Sequence, residues 1–257
     1  MDLTDAYANA AHIPEGTKYP DRWAQYAATF RSVVPGRFQL PFGPGKREVY
    51  DIFGVPEPLG TVIFVHGGYW KAFDRTLWSH LSAGALASEW AFALMSYDLC
   101  PDVRISAITA QVARAVDAIA AQTKGPIVLT GHSAGGHLVA RLACGDVHLD
   151  CRDRIAHVAP ISLISDLAPL MQTDMNADLR IDEAEALAES PRHKPKPAVP
   201  VSLWVGRDER PAFVQQSRWL AEAWKCPLHV ITGRHHFDII ELLSDPDSRL
   251  METLTRG

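Results

Sequence analysis

Apolar residues along the chain fall into short runs that alternate with longer segments of helical period. Between two of the runs, Ile105, Ile108, Val112, Val116 and Ile119 recur at steps of three and four residues, which places them on one face of a helix. Parallel strands joined by crossover helices produce this alternation, so we predict an α/β fold with a mostly parallel central sheet and helices on both faces. The predicted strands cover residues 47–53, which alternate as a half-exposed strand does, and 61–65, 91–97, 126–130, 155–161, 200–205 and 228–231. Further helical segments cover residues 138–144 and 213–224.

Two segments do not follow this alternation. Residues 1–40 contain aromatic side chains without strand periodicity, and residues 165–199 run from an acidic helical stretch into PRHKPKPAVP, where the prolines forbid a helix and favour an extended path. We expect one domain over residues 1–257, with 1–40 as an N-terminal lead-in or cap segment and 165–199 as a short cap insertion. Each of them either covers a site or elaborates the surface.

The composition narrows the class of protein. Of the 257 residues, 47% are hydrophobic and 21% are charged, which excludes a disordered or low-complexity chain. The formal net charge of −5 argues against a nucleic-acid-binding protein, since such proteins usually carry a basic domain or stripe. The four cysteines have unrelated spacings and form no CxxC, which indicates neither a disulfide framework nor a thiolate zinc site.

The hydropathy of the chain bears on where the protein works. The first ten residues, MDLTDAYANA, are acidic and lack the apolar stretch of a secretory signal. No window approaches 18 uninterrupted apolar residues, as a membrane span would require. We therefore expect a cytoplasmic protein in a reducing compartment whose partner is a small molecule, with neither nucleic acid nor membrane as a partner; a homodimer is allowed.

A serine flanked by glycines follows the predicted strand at residues 126–130. The sequence GHSAG at residues 131–135 is a G-x-S-x-G motif, and an apolar helical stretch comes next. Strand, turn and helix in this order are typical of a nucleophile elbow, in which glycines allow a tight turn that exposes the serine at a helix N-terminus. A glycine-rich loop with a capping serine is the alternative, and it fits this context less well. Ser133 is therefore the candidate nucleophile.

A second glycine loop, HGGYW, follows the predicted strand at residues 61–65. Backbone N–H groups beside glycines can approach the oxyanion of a tetrahedral intermediate without steric hindrance. The expected oxyanion donors are the backbone N–H groups of Gly68, Tyr69 and Ala134, the last directly after the nucleophile, and Gly67 is a further candidate. The side chains of Tyr69 and Trp70 are expected to bind substrate by lining its pocket; the alternative is that they pack in the protein interior.

Two further loops after predicted strands carry a base and an acid. TGRHHFD supplies His235 and His236, either of which could act as the general base. GRDE supplies Asp208 and Glu209, of which one can hold a histidine ring in the required tautomer. Asp238 fits the start of the helical stretch that follows. Because no H-E-x-x-H motif occurs and the histidines have no ligand spacing, no metal site is expected.

Taken together, HGGYW, GHSAGGHL, VGRDERPAF and HHFDII resemble the α/β-hydrolase superfamily, and within it the branch of arylformamidases (kynurenine formamidases) and related hormone-sensitive-lipase-like esterases. HGGYW is the narrower signal, because generic esterases of that branch more often carry HGGG. The resemblance implies the α/β-hydrolase fold with a short cap. It also implies Ser133 as nucleophile, His236 as base and Glu209 as acid, at a position where aspartate is commoner.

These observations predict a serine hydrolase that cleaves a small ester or amide of the formamide type through an acyl-enzyme intermediate, with no cofactor. A carboxylesterase or thioesterase acting on small acyl substrates would use the same elbow and loop, because these recognise the intermediate and not the leaving group. A binding module that keeps the fold without the chemistry is the remaining alternative.

Overall fold

The computed structural model describes residues 3–256, and within them the strands form one eight-stranded sheet in the order β1-β2-β4-β3-β5-β6-β7-β8. The first two strands pair antiparallel with their neighbours, and the remaining pairs are parallel. The mostly parallel α/β sheet predicted from the sequence is thereby confirmed. The strands are β1 (Gly36–Pro41), β2 (Val49–Phe53), β3 (Thr61–Val65), β4 (Ala91–Met95), β5 (Ile127–His132), β6 (Ile155–Ile161), β7 (Leu203–Gly206) and β8 (Leu228–Ile231).

Helices pack on both faces of this sheet, and the sheet divides the hydrophobic core into two clusters of buried residues. In β3, Ile63 and Val65 belong to the cluster under the helices at residues 105–121, 134–143 and 211–224, whereas Val62 and Phe64 belong to the cluster under the helices at residues 82–87 and 249–256. A strand buried on both faces has no polar side to alternate with, which explains its continuous apolar run. The helices are α1 (Leu3–Ala6), α2 (Tyr19–Val33), α3 (Ser82–Ala87), α4 (Ile105–Ala121), α5 (Ala134–Ala143), α6 (Asn176–Leu179), α7 (Glu183–Glu189), α8 (Pro211–Trp224) and α9 (Arg249–Arg256). Short 3₁₀ turns lie at Ala10–His12, Gly16–Lys18, Arg75–Leu81, Arg152–Arg154, Ala168–Gln172, Pro191–His193 and Ile239–Leu243.

The apolar stripe predicted for residues 105–119 lies on α4, and its five residues are fully buried. Burial of one continuous helix face against the sheet supplies most of the stability of such a helix, more than its intrinsic propensity does. The sequence prediction of this element is confirmed. Within residues 3–256, no helix combines the length and the hydropathy needed to cross a membrane.

The first two strands depart from the sequence prediction. β1 was not predicted, because its sequence shows no strand periodicity. It is an edge strand with mostly exposed side chains and an irregular register between Arg37 and Leu40. β2 was expected to be half-exposed, yet four of its five residues are buried. The charged residue inside β2 is Asp51, which is fully buried and accepts hydrogen bonds from Arg31 of α2 at 2.7 Å and from Arg75 at 2.8 Å. Because charged residues are usually exposed, a buried ion pair of this kind makes a buried strand look half-exposed in the sequence.

Candidate active site

Ser133 stands at the turn between β5 and α5, as the motif predicted. Its backbone has φ 55° and ψ −117°, a conformation that costs on the order of 1–3 kcal/mol for a residue with a side chain. The turn also requires Gly135, because a Cβ atom there would lie 1.9 Å from the Val65 carbonyl oxygen. The strained turn and the close approach of Gly135 to β3 hold Ser133 at the N-terminus of α5, where the helix dipole favours negative charge.

The HGGYW loop lies against this turn. A Cβ atom on Gly67 would come within 3.0 Å of the Ser133 Cβ, so the loop and the elbow are in direct contact. Gly68 has φ 106° and Tyr69 has φ 50°, and within residues 3–256 their N–H groups donate to no other backbone group. The N–H of Ala134, in the first turn of α5, has no acceptor within its own helix. These three N–H groups are the ones expected to act as oxyanion donors.

The histidine and the acid come from two neighbouring strand ends. His236 Nδ1 donates to Glu209 Oε2 at 2.6 Å, and the other carboxylate oxygen, Oε1, accepts from Ser162 Oγ at 2.5 Å and from the Gly206 N–H at 2.7 Å. Glu209 and His236 are both buried, whereas Asp208 is exposed. With Nδ1 protonated, Nε2 of His236 is left as a proton acceptor. Of the two adjacent carboxylates, therefore, Glu209 is the one that contacts the histidine.

Ser162 was missed by sequence reasoning. It is the first polar residue after β6, at the same edge of the sheet as Ser133, and it has φ 51°. Its position one residue beyond a buried parallel strand is the signal that could have singled it out, because functional side chains of such sheets gather at the carboxyl ends of the strands.

His235 has a different set of contacts from its neighbour. Its Nδ1 accepts from the Phe237 N–H at 3.1 Å, so Nε2 carries the proton and donates to the Tyr19 hydroxyl at 3.2 Å. The Asp238 carboxylate accepts from the His235 N–H at 2.7 Å and precedes the 3₁₀ turn at residues 239–243, in line with its predicted place at a helix start. His235 thus ties α2 to the loop, and only His236 contacts the acid.

Ser133 and His236 border one cavity of about 610 Å³. No hydrogen bond joins their side chains within residues 3–256, which is common in unliganded enzymes, where catalytic contacts tighten when substrate binds. The wall is mainly apolar, and its large aromatic members are Tyr7, Trp23, Tyr69, Phe73, Trp78 and Phe237. The site can therefore hold an apolar or aromatic group beside the serine.

Trp70 does not line this cavity, although the sequence suggested that it would. Its side chain is fully buried in the core and packs edge-on against His137 of α5, with ring centroids 5.0 Å apart. The left-handed backbone at Tyr69 and Trp70 (φ 50° and 56°) turns the two neighbours in different directions. Of the pair, Tyr69 alone borders the cavity.

The N-terminal segment at residues 4–11 borders the cavity. The Tyr69 hydroxyl donates to the Tyr7 carbonyl at 2.6 Å, Gln216 Nε2 donates to the Tyr7 hydroxyl at 2.8 Å, and Arg210 pairs with Asp5 at 2.6 Å. These bonds fasten the segment to the HGGYW loop and to α8. Residues 165–199 contribute less to the cavity wall. Within the described part of the chain, Met175 is the one residue of this segment that borders the cavity.

Several histidines near the site are held neutral by burial. Burial lowers the pKa of His66 and of His137 to about 4, and it lowers the pKa of His132 well below its usual range. His132 Nε2 donates to the His236 carbonyl oxygen at 2.8 Å, and the two rings lie 4.6 Å apart. A neutral ring beside His236 avoids like-charge repulsion with the imidazolium that proton uptake would create.

These depressed pKa values predict a loss of stability in mild acid. Histidines of the unfolded chain have a pKa of about 6.5 and bind protons below that pH, whereas the buried rings of the folded protein stay unprotonated down to about pH 4. The free energy of unfolding therefore falls as the pH decreases from 7. We expect a loss of about 1–2 kcal/mol per buried ring between pH 7 and pH 5, measured by urea unfolding. His137→Gln should weaken this dependence, while His148→Gln, at an exposed position, should not. Equal pH dependence in both variants would contradict the assignment.

The sequence is similar to those of known hydrolases. Residues 62–231 match the model of the alpha/beta hydrolase family. The chain is 27% identical to a kynurenine formamidase of Salmo salar over 250 residues, which covers 88% of this chain and 83% of that protein.

Solved structures give a similar result. A Silicibacter protein described as a "putative thioesterase" is 48% identical, with a TM-score of 0.97 and 99% of each chain covered. Esterase B of Lactobacillus rhamnosis shares the fold, with a TM-score of 0.67 at 18% identity and 93% and 91% of the two chains covered.

Proposed function

Since the chain belongs to the alpha/beta hydrolase family, we propose that it is a serine hydrolase that cleaves a small ester or amide of the formamide type. The observation that carries this proposal is the buried 2.6 Å contact between Glu209 and His236, because His236 borders the same cavity as Ser133. A nucleophile, a base and an orienting acid on three loops of one sheet edge are the parts that acyl transfer requires.

In the proposed reaction, Ser133 Oγ attacks the substrate carbonyl while His236 Nε2 takes the hydroxyl proton. Glu209 stabilises the imidazolium that forms, and the N–H groups of Gly68, Tyr69 and Ala134 bind the oxyanion. His236 then donates its proton to the leaving group as the bond to the acyl carbon breaks. Water, activated by the same histidine, releases the acid from Ser133 and restores the enzyme. No cofactor takes part in these steps.

The aromatic wall and the relatives support an aryl formamide as substrate. The Salmo salar relative is a kynurenine formamidase, and the apolar cavity of about 610 Å³ has room for an aromatic ring next to Ser133. A thioesterase or carboxylesterase of small acyl groups is the second candidate, favoured by the description of the Silicibacter relative at 48% identity.

A matched substrate panel tests the choice between these activities. We expect kcat/KM for N-formylkynurenine to exceed that for p-nitrophenyl butyrate and for a butyryl thioester by more than about a hundredfold, a difference of roughly 3 kcal/mol in transition-state stabilisation. The purified protein should be assayed on all three at one pH. A hundredfold preference in the opposite direction would assign the second candidate function.

A further inference from the structure

The HGGYW loop forms a tight turn in a conformation that residues with a side chain disfavour. The Lys71 N–H donates to the Gly68 carbonyl at 3.0 Å and closes the turn. The two residues between them, Tyr69 and Trp70, both have left-handed backbones, with φ 50° and 56°. This region brings Cβ close to the following carbonyl oxygen in every residue that has a Cβ atom. Two such residues in succession therefore need contacts from the rest of the fold to hold them.

The two left-handed residues are held by different parts of the protein. Trp70 is fully buried in the core, and its carbonyl accepts from the Cys100 N–H at 2.8 Å. Tyr69 is held at the far end of its ring, where its hydroxyl donates to the Tyr7 carbonyl at 2.6 Å and accepts from Asn9 Nδ2 at 3.4 Å. Burial raises the pKa of Tyr69 well above its usual range, so the hydroxyl keeps its proton and stays a donor.

The Tyr7 carbonyl is a fixed anchor for this bond, because Tyr7 is itself held from α8. The Tyr7 hydroxyl accepts from Gln216 Nε2 at 2.8 Å, and Gln216 is fully buried. Gln216 Oε1 in turn accepts from the backbone N–H groups of Ser165 and Asp166, at 2.9 Å and 2.8 Å. A chain of buried contacts therefore runs from α8 through Tyr7 to the Tyr69 hydroxyl.

We infer that Tyr69 is a positioning residue through its side chain: the hydroxyl, anchored on the Tyr7 carbonyl, holds the turn in the shape that presents the Gly68 and Tyr69 N–H groups to the oxyanion. This inference rests on the proposed function. The Tyr69 N–H belongs to the planar peptide that follows Gly68, and ψ of Gly68 and φ of Tyr69 set the direction of that peptide. Glycine is conformationally permissive, so the restraint has to come from Tyr69. An oxyanion donor contributes most when it is already aimed at the position where charge develops.

The hydroxyl bond separates substrate binding from stabilisation of the transition state. Without the hydroxyl, the ring of Tyr69 still borders the cavity and keeps its contacts with bound substrate. The oxyanion exists only after Ser133 has attacked, so misdirected N–H groups weaken the tetrahedral state and not the Michaelis complex. Loss of the hydroxyl is therefore expected to lower kcat about tenfold and to leave KM within about twofold of the wild type.

The test compares a transition-state analogue, trifluoroacetophenone, with its ground-state counterpart, acetophenone, as inhibitors of the wild type and of Tyr69→Phe. Ser133 Oγ adds to the carbonyl carbon of the fluorinated ketone, its proton moves to His236, and the carbonyl electron pair stays on oxygen as an oxyanion. Acetophenone occupies the cavity without this step. In Tyr69→Phe we expect the inhibition constant of trifluoroacetophenone to rise about tenfold, or roughly 1.4 kcal/mol, and that of acetophenone to change by less than about twofold.

Two further proteins separate positioning of the turn from a general loosening of residues 4–11. Arg210→Gln breaks the ion pair with Asp5 but leaves Gln216 on Tyr7, so the ratio of the two inhibition constants should stay that of the wild type. Replacement of Tyr69 by para-aminophenylalanine keeps a donor at the end of the ring and should restore the ratio. This protein also decides the question if Tyr69→Phe does not fold. An equal change of the ratio in Arg210→Gln, or a loss with the amino group as large as with phenylalanine, would contradict the role of the hydroxyl.

The failure of this inference differs from the failure of the function on which it rests. If Ser133→Ala keeps full turnover of every ester and amide that the wild type cleaves, the proposed function fails. If turnover depends on Ser133 while the ratio in folded Tyr69→Phe stays within about twofold of the wild type, the role of the Tyr69 hydroxyl is overturned.

Discussion

Replacement of Ser133 by alanine is expected to lower kcat by on the order of 10⁴- to 10⁶-fold, because nucleophile and base act as one unit. The same change should abolish covalent labelling by a fluorophosphonate, which requires an activated serine. Ser133 is the residue at the strained turn between β5 and α5, where its hydroxyl meets the cavity shared with His236. Turnover of formamides and esters and labelling by the probe are the two measurements.

The control for this substitution is Ser32→Ala. Ser32 is an exposed residue of α2 whose hydroxyl donates to the Thr29 carbonyl at 2.7 Å. This variant should keep wild-type turnover and labelling, and the melting curves of both variants should show a folded protein. Full turnover of every responsive substrate by folded Ser133→Ala would end the serine mechanism.

Replacement of Glu209 by glutamine is expected to lower kcat by about 10⁴-fold without unfolding the protein. In the wild type, Oε1 accepts from both Ser162 and the Gly206 N–H, and Oε2 accepts from His236. Two donors at the first position will draw the glutamine carbonyl oxygen there, which turns its NH₂ group toward His236 Nδ1. The ring must then carry its proton on Nε2, and in that tautomer it cannot accept the proton of Ser133.

Asp208→Asn is the matched control, since it removes the same charge one residue earlier. Asp208 is exposed, and its backbone N–H bonds to the Arg234 carbonyl independently of the side chain. We expect kcat within about twofold of the wild type, as is usual for surface substitutions of small energetic effect. A large loss in Asp208→Asn with a small one in Glu209→Gln would reverse the assignment of the acid. Kinetics at saturating substrate, with circular dichroism as the check on folding, decide between the two.

Much of the architecture could be read from local patterns. The strands β3 to β8 and the helix α4 were predicted because an apolar run or a 3.6-residue stripe reports directly on burial. The turn at Ser133 was predicted for a similar reason, since the strand before it, the helix after it and the glycines within it are neighbours in sequence. The edge strand β1 was missed because it buries too little of either face to leave a pattern.

The sequence by itself determined the layered α/β fold and the loops at which a nucleophile, a base and an acid would stand, since these follow from local periodicity and turn chemistry. Only the tertiary structure decided which of two adjacent side chains on a loop meets its partner: Glu209 and not Asp208 contacts His236, and Tyr69 but not Trp70 borders the cavity. It also decided that Asn9, more than a hundred residues before Ser133 in the chain, lies on the same cavity wall. The physical reason is that the direction of a side chain in an irregular loop depends on backbone angles and packing partners from distant parts of the chain. No pattern of neighbouring residues encodes these.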